Sequence, residues 1–141
     1  RHIPNGIPGI ETRMPLLYSE GVLGGRISLN RFVELTATQP ARAYGLYPKK
    51  GTLAIGSDPD LVIWEERDFT LDNGHLHHAV DYTPYAGMTL RAWPAMTLLR
   101  GQIVWDGTHF AGAPGQGQFL PRGLPSLAPP SARRGAQPAW R

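Results

Sequence analysis

Residues 51–65 read GTLAIGSDPDLVIWE, and the spacing of apolar residues changes within this stretch in a way that decides the fold class. Residues 52–55 and 61–64 are short runs rich in apolar and β-branched side chains, which is typical of strands. The Gly, Ser, Asp and Pro residues at 56–59 are a turn signal between them. We therefore predict a strand, a turn and a second strand.

The chain after this stretch keeps the strand pattern. Residues 88–93, 95–105 and 109–113 read as further strands, with Arg100-Gly101 and Asp106-Gly107 as turns. From residue 123 onward the chain is rich in Pro, Ala, Ser and Arg and has neither the helical nor the strand period. This end is predicted to be a mobile tail.

The chain before this stretch has the period of helices. Apolar residues at 14, 17 and 18 recur at helical spacing, with Pro15 acceptable only in a first turn. Ser28 is the predicted N-cap of a second helix, and Pro40 restarts the chain as the first residue of a third helix, which Gly45 ends. The predicted buried stripe of the second helix comprises Leu29, Phe32, Val33 and Thr36. Helices followed by strands give an α+β order.

Length and composition limit the function classes. At 141 residues the chain has room for one domain with a hydrophobic core. No apolar run reaches the roughly 18 residues that span a bilayer, so we expect no membrane segment, and we expect no secretion leader. The absence of cysteine excludes disulfides and thiolate metal sites and favours the cytoplasm. Because the chain begins with Arg1 rather than Met, we expect it to continue a longer protein.

The sequence pI of about 9.6 raises the question of nucleic-acid binding. Residues 122–141 hold four arginines and no acid, which leaves ten basic against eleven acidic residues in the rest of the chain. The basicity therefore belongs to the tail. Aromatic side chains do not alternate with the arginines as a stacking platform requires. We predict no nucleic-acid partner.

The histidine cluster HLHH, residues 75–78, is a candidate metal site. A His-x-His pair is a common ligand spacing, because alternate residues of a strand project to one side. A zinc site needs three or four ligands, however, and the other candidates are only His2 and His109. The cluster also follows the turn signal Asp72-Asn73-Gly74. We therefore predict a solvated connection and no metal site in this chain.

Two acidic pairs are candidates for acid–base catalysis. Asp58 and Asp60 flank a proline, and their carboxylates are predicted to cap backbone N–H groups of a turn. Glu65 and Glu66 would point to opposite faces of a strand, so they cannot share a site. The Gly-rich residues 112–119 neither follow a clear strand nor open a helix, which argues against a phosphate loop. No complete catalytic set is predicted in this chain.

The loop Pro-Asn-Gly-Ile-Pro-Gly at residues 4–9 is the remaining candidate. Asn5-Gly6 permits a tight turn with positive φ, which lets backbone amides and the Asn5 side chain approach a ligand closely. An amide side chain offers both a donor and an acceptor, as recognition of a cyclic amide requires. The alternative from the residues alone is an ordinary turn before the helix that starts near Glu11.

Several segments together resemble the carboxy-terminal part of dihydropyrimidinases and hydantoinases, which are cyclic-amide hydrolases of the amidohydrolase superfamily. They are IPNGIPGIETRMPLLYSEG at 3–21, GRISLNRFVELTATQPARAYGLYPKKGTLAIGSDPDLVIW at 25–64, VDYTPYAGM at 80–88 and WPAMTLLRGQIVWDG at 93–107. The stretch at 51–64 alone is similar to many amidohydrolases. The Asn-Gly loop with GIETRMPLL, together with VDYTPYAGM, narrows the resemblance to the dihydropyrimidinase branch.

The resemblance implies an architecture for the chain. In that family a TIM-like (β/α)8 barrel carries the metals, and a small β-sandwich is built from both chain ends. Residues 1–46 would be the last barrel loop and the terminal helices. Residues 47–112 would be the carboxy-terminal strands of the sandwich, and residues 113–141 an extension and tail.

The resemblance also implies a function. The protein would open cyclic amides such as dihydropyrimidines and hydantoins by metal-activated hydroxide, with two zinc ions whose ligands lie upstream of this chain. It would be a cytoplasmic homotetramer when full length, and Asn5 would bind the ring amide of the substrate. The isolated chain is expected to be inactive. The alternative is a non-catalytic dihydropyrimidinase-like relative that keeps the fold, lacks the metal ligands and acts by assembly.

Overall fold

A computed structural model describes residues 6–127 and shows a layer of short helices packed on a three-stranded antiparallel sheet. Helix α1 spans Ile10–Leu16 and continues as a π-helical segment, Leu17–Val22. Helix α2, Leu29–Val33, passes through π-helical residues Glu34–Thr38 into helix α3, Gln39–Ala43. The strands are β1 Leu61–Thr70, β2 Thr89–Leu99 and β3 Gln102–Trp105, and a 3-10 turn spans Asn73–His75. The predicted α+β order is confirmed for the described residues.

The helix ends follow the predicted capping chemistry. The Ser28 hydroxyl accepts a hydrogen bond from the Arg31 amide at 3.2 Å, so Ser28 is the N-cap of α2. Gly45 follows α3 with φ of +69°, and a Cβ there would lie 2.1 Å from the Gly123 carbonyl oxygen. Both the left-handed backbone and the close approach therefore require glycine at this stop.

Two predictions about the prolines of the helices are wrong. Helix α1 begins at Ile10, which places Pro15 in its second turn rather than its first. Pro15 has no N–H to donate to the carbonyl four residues earlier, and the π-helical segment begins two residues later. Pro40 does lie at the start of α3, but the chain does not break there, because Thr38 already has helical φ and ψ of −68° and −49°.

The predicted buried stripe of the second helix is wrong at two of its positions. Phe32 is 3% exposed, whereas Leu29 and Val33 are about half exposed. A short helix that lies on a sheet is covered on one side only, and Phe32 takes that side. Residues 29 and 33 flank it at the rim of the contact.

The predicted strand at residues 52–55 is absent, and these residues form a loop. Gly51 and Gly56 flank it with φ of +82° and +91°, values that bend the chain away from an extended path. The side chains of Leu53 and Ile55 are exposed. The predicted strand at 109–113 is reduced to one bridge between Phe110 and Trp105.

The sheet has the order β1-β2-β3, and its register contains two offsetting irregularities in the first pair. Leu61 pairs with Leu98, but Trp64 pairs with Pro94, so β2 holds one extra residue, Ala95. Between Glu66 and Phe69 it is β1 that holds the extra residue. Because the two bulges are on opposite strands, the original frame returns at Phe69, which pairs with Leu90.

The core lies where the helices cross the middle of this ladder. The rings of Tyr18 and Trp64 stack with centroids 4.9 Å apart, and Phe32 meets both edge-on at 5.2 and 5.8 Å. Ala92, with no exposed surface, lies beneath them on β2. Edge-to-face and offset-stacked contacts of this kind add roughly 0.5–1.5 kcal/mol per pair beyond area burial.

The carboxy-terminal segment begins in contact with the helical layer. The amide of Gly123 donates to the Gly45 carbonyl at 2.8 Å, and the amide of Ser126 donates to the Arg42 carbonyl at 3.1 Å. The rest of the predicted tail, residues 128–141, lies outside the described residues. Within residues 6–127, no helix has the length and apolar character needed to cross a membrane.

Candidate functional site

The predicted substrate-binding residue, Asn5, lies outside the described residues, which begin with its neighbour Gly6. Residues 6–9, called here the Gly6–Gly9 loop, lead directly into α1. The amide of Arg13 donates to the Gly9 carbonyl at 3.0 Å, and the Thr12 hydroxyl donates to the same oxygen at 3.4 Å. The carboxy-terminal end of the loop is thus joined to the first turn of α1.

A distant segment, His77–Tyr82, contacts this loop and the first turn of α1. The Glu11 carboxylate accepts the backbone N–H of His77 through Oε2 at 2.8 Å, and its Oε1 lies 2.8 Å from the ring Nδ1 of His77. An ionised carboxylate can only accept, so Nδ1 is the donor and carries the proton. The Tyr82 hydroxyl donates to the Gly6 carbonyl at 3.4 Å. Residues far apart in sequence therefore meet at the loop.

A cavity of about 300 Å³ lies between these two parts of the chain, lined by residues 7–12 and 76–78. Its walls include the buried side chain of Thr12 and the half-buried ring of His78. Both ring nitrogens of His78 are buried and have no hydrogen-bond partner among the described residues. The cavity thus has an apolar lining with a few polar atoms, which is the usual composition of a small-molecule pocket.

A second cavity, of about 340 Å³, lies on the other side of His77. Its aromatic walls are Phe69, Trp93 and Trp105, with the Phe69 and Trp93 rings edge-to-face at 5.0 Å. The His77 ring meets Trp105 edge-on at 5.1 Å. His77 therefore stands between the two cavities and is braced by β3. A larger hollow of about 660 Å³ is lined only by residues 122–125 and gathers no cluster of reactive side chains.

The histidines of the predicted HLHH cluster have separate partners. The Nδ1 of His75 accepts the Asp72 amide at 3.2 Å and closes a capping box on the 3-10 turn, while His77 faces Glu11. His109 lies 3.5 Å from the Asp106 carboxylate in another turn. In the part of the chain that the structure describes, no three His, Asp or Glu side chains are grouped so that they could hold a metal ion. These residues do not fit a metal centre.

The first acidic pair, Asp58 and Asp60, makes contacts that stabilise the fold. Asp60 accepts the Arg100 amide at 2.8 Å, as predicted for a backbone cap, but Asp58 instead contacts the ammonium groups of Lys49 and Lys50 at 2.7 and 2.9 Å. Hydrogen bonds from Lys49 and then Lys50 lower the pKa of Asp58 below its ordinary value. Although desolvation acts in the other direction, hydrogen bonds to Asp60 and Asp58 raise the pKa of Lys50.

The carboxylates of the second acidic pair, Glu65 and Glu66, do not share a site, as predicted. Glu65 forms a salt bridge with Arg67 at 2.9 Å, and Glu66 accepts the Tyr18 hydroxyl at 3.0 Å. Burial, followed by the hydrogen bond and the negative charge of Glu66, raises the pKa of Tyr18. The two carboxylates therefore have different partners and do not form an acid–base pair.

The arrangement of loop, helices and sheet is that of a known hydrolase family. Residues 4–104 match the pattern of the Amidohydrolase family, and the chain belongs to this family. Within it, the chain is 46% identical over 123 residues to the D-hydantoinase of Rhizobium radiobacter, covering 86% of this chain and 27% of the relative. It is 52% identical over 121 residues to the D-phenylhydantoinase of Escherichia coli O1:K1 / APEC, covering 84% and 26%.

Solved structures of hydantoinases have the same fold over this region. A crystal structure of a D-hydantoinase superposes with a TM-score of 0.82 at 46% identity, covering 86% of this chain and 26% of that one. A dihydropyrimidinase from Brevibacillus agri superposes with a TM-score of 0.81 at 43% identity, covering 85% and 26%. The resemblance read from the sequence is confirmed. The chain spans about a quarter of the length of these relatives.

Sequence reasoning missed the residues that surround the Gly6–Gly9 loop. His77 was considered as a metal ligand and Glu11 as the start of a helix, yet each is the other's partner across 66 residues. The nearest sequence signal is that GIETRMPLL, which contains Glu11, and VDYTPYAGM, which contains Tyr82 but not His77, both belong to the most specific part of the resemblance. Nothing in the spacing of either segment indicates that they meet.

Proposed function

We propose that this chain is part of a hydrolase that opens cyclic amides such as hydantoins and dihydropyrimidines. The observation that carries this proposal is the 46–52% identity to proteins named D-hydantoinase and D-phenylhydantoinase across 84–86% of the chain. The Amidohydrolase family is metal-dependent, and the described residues do not fit a metal centre. We propose that the metal is zinc and that its ligands belong to parts of the protein outside this chain.

We further propose the architecture that the resemblance implies. Residues 1–46 would form the end of a (β/α)8 barrel, residues 47–112 the carboxy-terminal part of a β-sandwich, and residues 113–141 an extension. In the described chain all α- and π-helical residues lie between residues 10 and 43 and all strands lie between 61 and 105, which supports this division. The whole protein would be a cytoplasmic homotetramer.

Asn5 is the residue that we propose contacts the substrate. It precedes the Gly6–Gly9 loop, whose last residue, Gly9, comes directly before α1, and active sites of (β/α)8 barrels are built from loops of this kind. An amide side chain can donate to a ring carbonyl and accept from a ring N–H. Our proposal for this chain is therefore binding and orientation of the cyclic amide, not the bond-breaking step.

A segment exchange tests the proposed function. The 123 residues of the R. radiobacter D-hydantoinase that match this chain would be replaced by the corresponding residues of this chain. We expect the exchanged enzyme to hydrolyse hydantoin or dihydrouracil, because only a compatible piece can complete the active site. The host lacking the segment, and the 141-residue chain alone, should both be inactive.

The outcomes separate the two function classes. An exchanged enzyme that folds, retains its metal by elemental analysis and still lacks hydrolysis would contradict the hydrolase proposal and favour the assembly protein. In an active exchange, Asn5→Ala should lower kcat/KM by roughly ten- to a hundredfold, the scale of a hydrogen bond lost in a desolvated site. Full kcat/KM in this variant on every substrate of the parent would leave Asn5 as a turn residue only.

A further inference from the structure

The Gly6–Gly9 loop is held in place by something other than apolar burial. Ile7 is 62% exposed and Ile10, the first residue of α1, is 90% exposed. A Cβ on Gly6 would meet no atom within 4 Å, so the loop is not confined by close packing there. The direction in which the loop leaves α1 must therefore depend on polar contacts.

Two such contacts come from the segment His77–Tyr82. Glu11 accepts from both the backbone N–H and the ring Nδ1 of His77 at 2.8 Å, and these hydrogen bonds use both carboxylate oxygens. Hydrogen bonds to an ionised group are roughly twice as strong as neutral ones, and a two-point contact also fixes orientation. The Tyr82 hydroxyl adds a neutral hydrogen bond to the Gly6 carbonyl at 3.4 Å.

The His77 side of this contact is itself fixed to the sheet. Its ring meets Trp105 edge-on at 5.1 Å, and Trp105 is the last residue of β3, paired with Thr97 and bridged to Phe110. A continuous series of contacts therefore runs from the sheet through Trp105 and His77 to Glu11 in the first turn of α1. That turn receives the Gly6–Gly9 loop.

We propose that His77 is a positioning residue for the Gly6–Gly9 loop: through Glu11 it sets the orientation of this loop, which follows Asn5 in the sequence, with Tyr82 as a second support. Its effect on catalysis rests on the proposed function, whereas its effect on the loop does not. Loss of the Nδ1 donor should loosen the first turn of α1 and the loop without unfolding the sheet.

Two variants separate the hydrogen bond from the ring. His77→Phe keeps an aromatic ring against Trp105 and removes the Nδ1 donor. His77→Asn removes the ring but places an amide N–H₂ near the position of Nδ1. If the hydrogen bond positions the loop, His77→Asn should behave like the parent chain and His77→Phe should not. If the ring acts only by packing on Trp105, His77→Phe should behave like the parent and His77→Asn should not.

The first measurement is residue-resolved amide hydrogen exchange on the 141-residue chain. In His77→Phe we expect the amides of His77 and Arg13 to exchange about tenfold faster, while amides of β2 between residues 90 and 93 stay unchanged. His77→Asn should remain within about twofold of the parent at both amides. Unchanged exchange in His77→Phe, or equal acceleration in both variants, would overturn the inference.

The second measurement uses the active segment exchange. His77→Phe should lower kcat/KM about tenfold at an unchanged melting temperature, and His77→Asn should restore most of it. Faster amide hydrogen exchange in His77→Phe together with full kcat/KM would refute the catalytic part of the inference. A segment-exchanged enzyme that is inactive without any further mutation would instead refute the proposed function. The hydrogen-exchange result would still decide whether His77 fixes the loop.

Discussion

Two neighbouring parts of strand β1 have opposite surroundings. Residues 64–66 lie under the helices, where Trp64 stacks on Tyr18 and Glu66 receives the Tyr18 hydroxyl. Residues 61–63 continue past the helices, and Val62 and Ile63 are 44% and 50% exposed. Among the described residues, the outer edge of β1 has no partner strand.

The difference shows that one strand can hold both part of the core of this chain and half-exposed apolar side chains. In the covered part, residues 64–66, the buried aromatic rings stabilise the structure. Near the open part, residues 61–63, charged contacts do so instead, since Asp58 pairs with Lys49 and Lys50, and Asp60 caps the Arg100 amide. Variants on the two sides should therefore differ in the kind of effect as well as in its size.

The largest effect is expected in the covered part. Phe32→Ala removes a ring that is 3% exposed and contacts both Tyr18 and Trp64, so the free energy of unfolding should fall by about 3–5 kcal/mol. Urea denaturation followed by circular dichroism measures it. Val33→Ala, a neighbouring residue of α2 that is 47% exposed, is the control and should cost under about 1 kcal/mol. Equal losses in the two variants would remove the basis of the comparison.

A smaller effect, on association rather than folding, is expected in the open part. An unpaired edge with exposed apolar side chains promotes self-association of the 141-residue chain. Ile63→Lys should raise the dissociation constant about tenfold, equivalent to about 1.4 kcal/mol, and leave the unfolding free energy within about 0.5 kcal/mol. Sedimentation velocity over a concentration series measures it, with Val33→Lys as the control. A monodisperse parent chain at all concentrations would contradict the expected association.

The hydroxyl of Tyr18 offers a finer test of the covered part. Tyr18→Phe keeps the stacked ring and removes the hydrogen bond to Glu66, so we expect a loss of about 1 kcal/mol. The raised pKa of Tyr18 means that its contribution is present below the unfolded pKa near 10 and is lost as the pH rises through the folded pKa. The parent should therefore lose its advantage over Tyr18→Phe in alkaline denaturation series. A difference that stays constant at all pH values would show that the hydroxyl does not titrate with folding.

The smallest effect is expected from Asp58, at the border of the open part. Its pKa is lowered by Lys49 and Lys50, so its contribution is present above the ordinary value of 3.8 and is lost as the pH falls through the folded pKa. Amides of residues 49–61 should lose protection in acid before those of the aromatic cluster, as measured by hydrogen exchange. Asp58→Asn should show the same local opening at neutral pH. Simultaneous loss in both regions would show that the covered and open parts unfold together.

The sequence predicted local features well and long-range ones poorly. The Ser28 cap, the Gly45 stop and the Arg100-Gly101 hairpin turn depend on a few adjacent residues, and all three are present. The strand predicted at 52–55 failed because flanking glycines with positive φ and a pair of lysine contacts shape that segment. The exposure of Leu29 and Val33 depends on how far the sheet extends beneath α2, which helical periodicity does not encode.

The same contrast between local and long-range features holds for the candidate site. The loop at residues 4–9 was selected for its turn chemistry and for the family resemblance, and its contact with a substrate stays a prediction. The contact between Glu11 and His77 could not be read from the sequence, because it joins residues 66 positions apart and requires the full path of the sheet to bring them together. His77 looked like a metal ligand for the same reason that it can serve Glu11, since an imidazole nitrogen suits both roles.

The bulges of β1 and β2 are places where each strand carries one residue that the ladder does not use. Deleting Ala95 alone would close the bulge of β2, because Ile63 already pairs with Met96 and Trp64 with Pro94, so no side chain would change its partner across the ladder. Deleting one residue at 67–68 would close the bulge of β1 in the same way. Single-residue gaps between relatives are therefore expected at these two positions, where they leave the partners of the aromatic cluster in place.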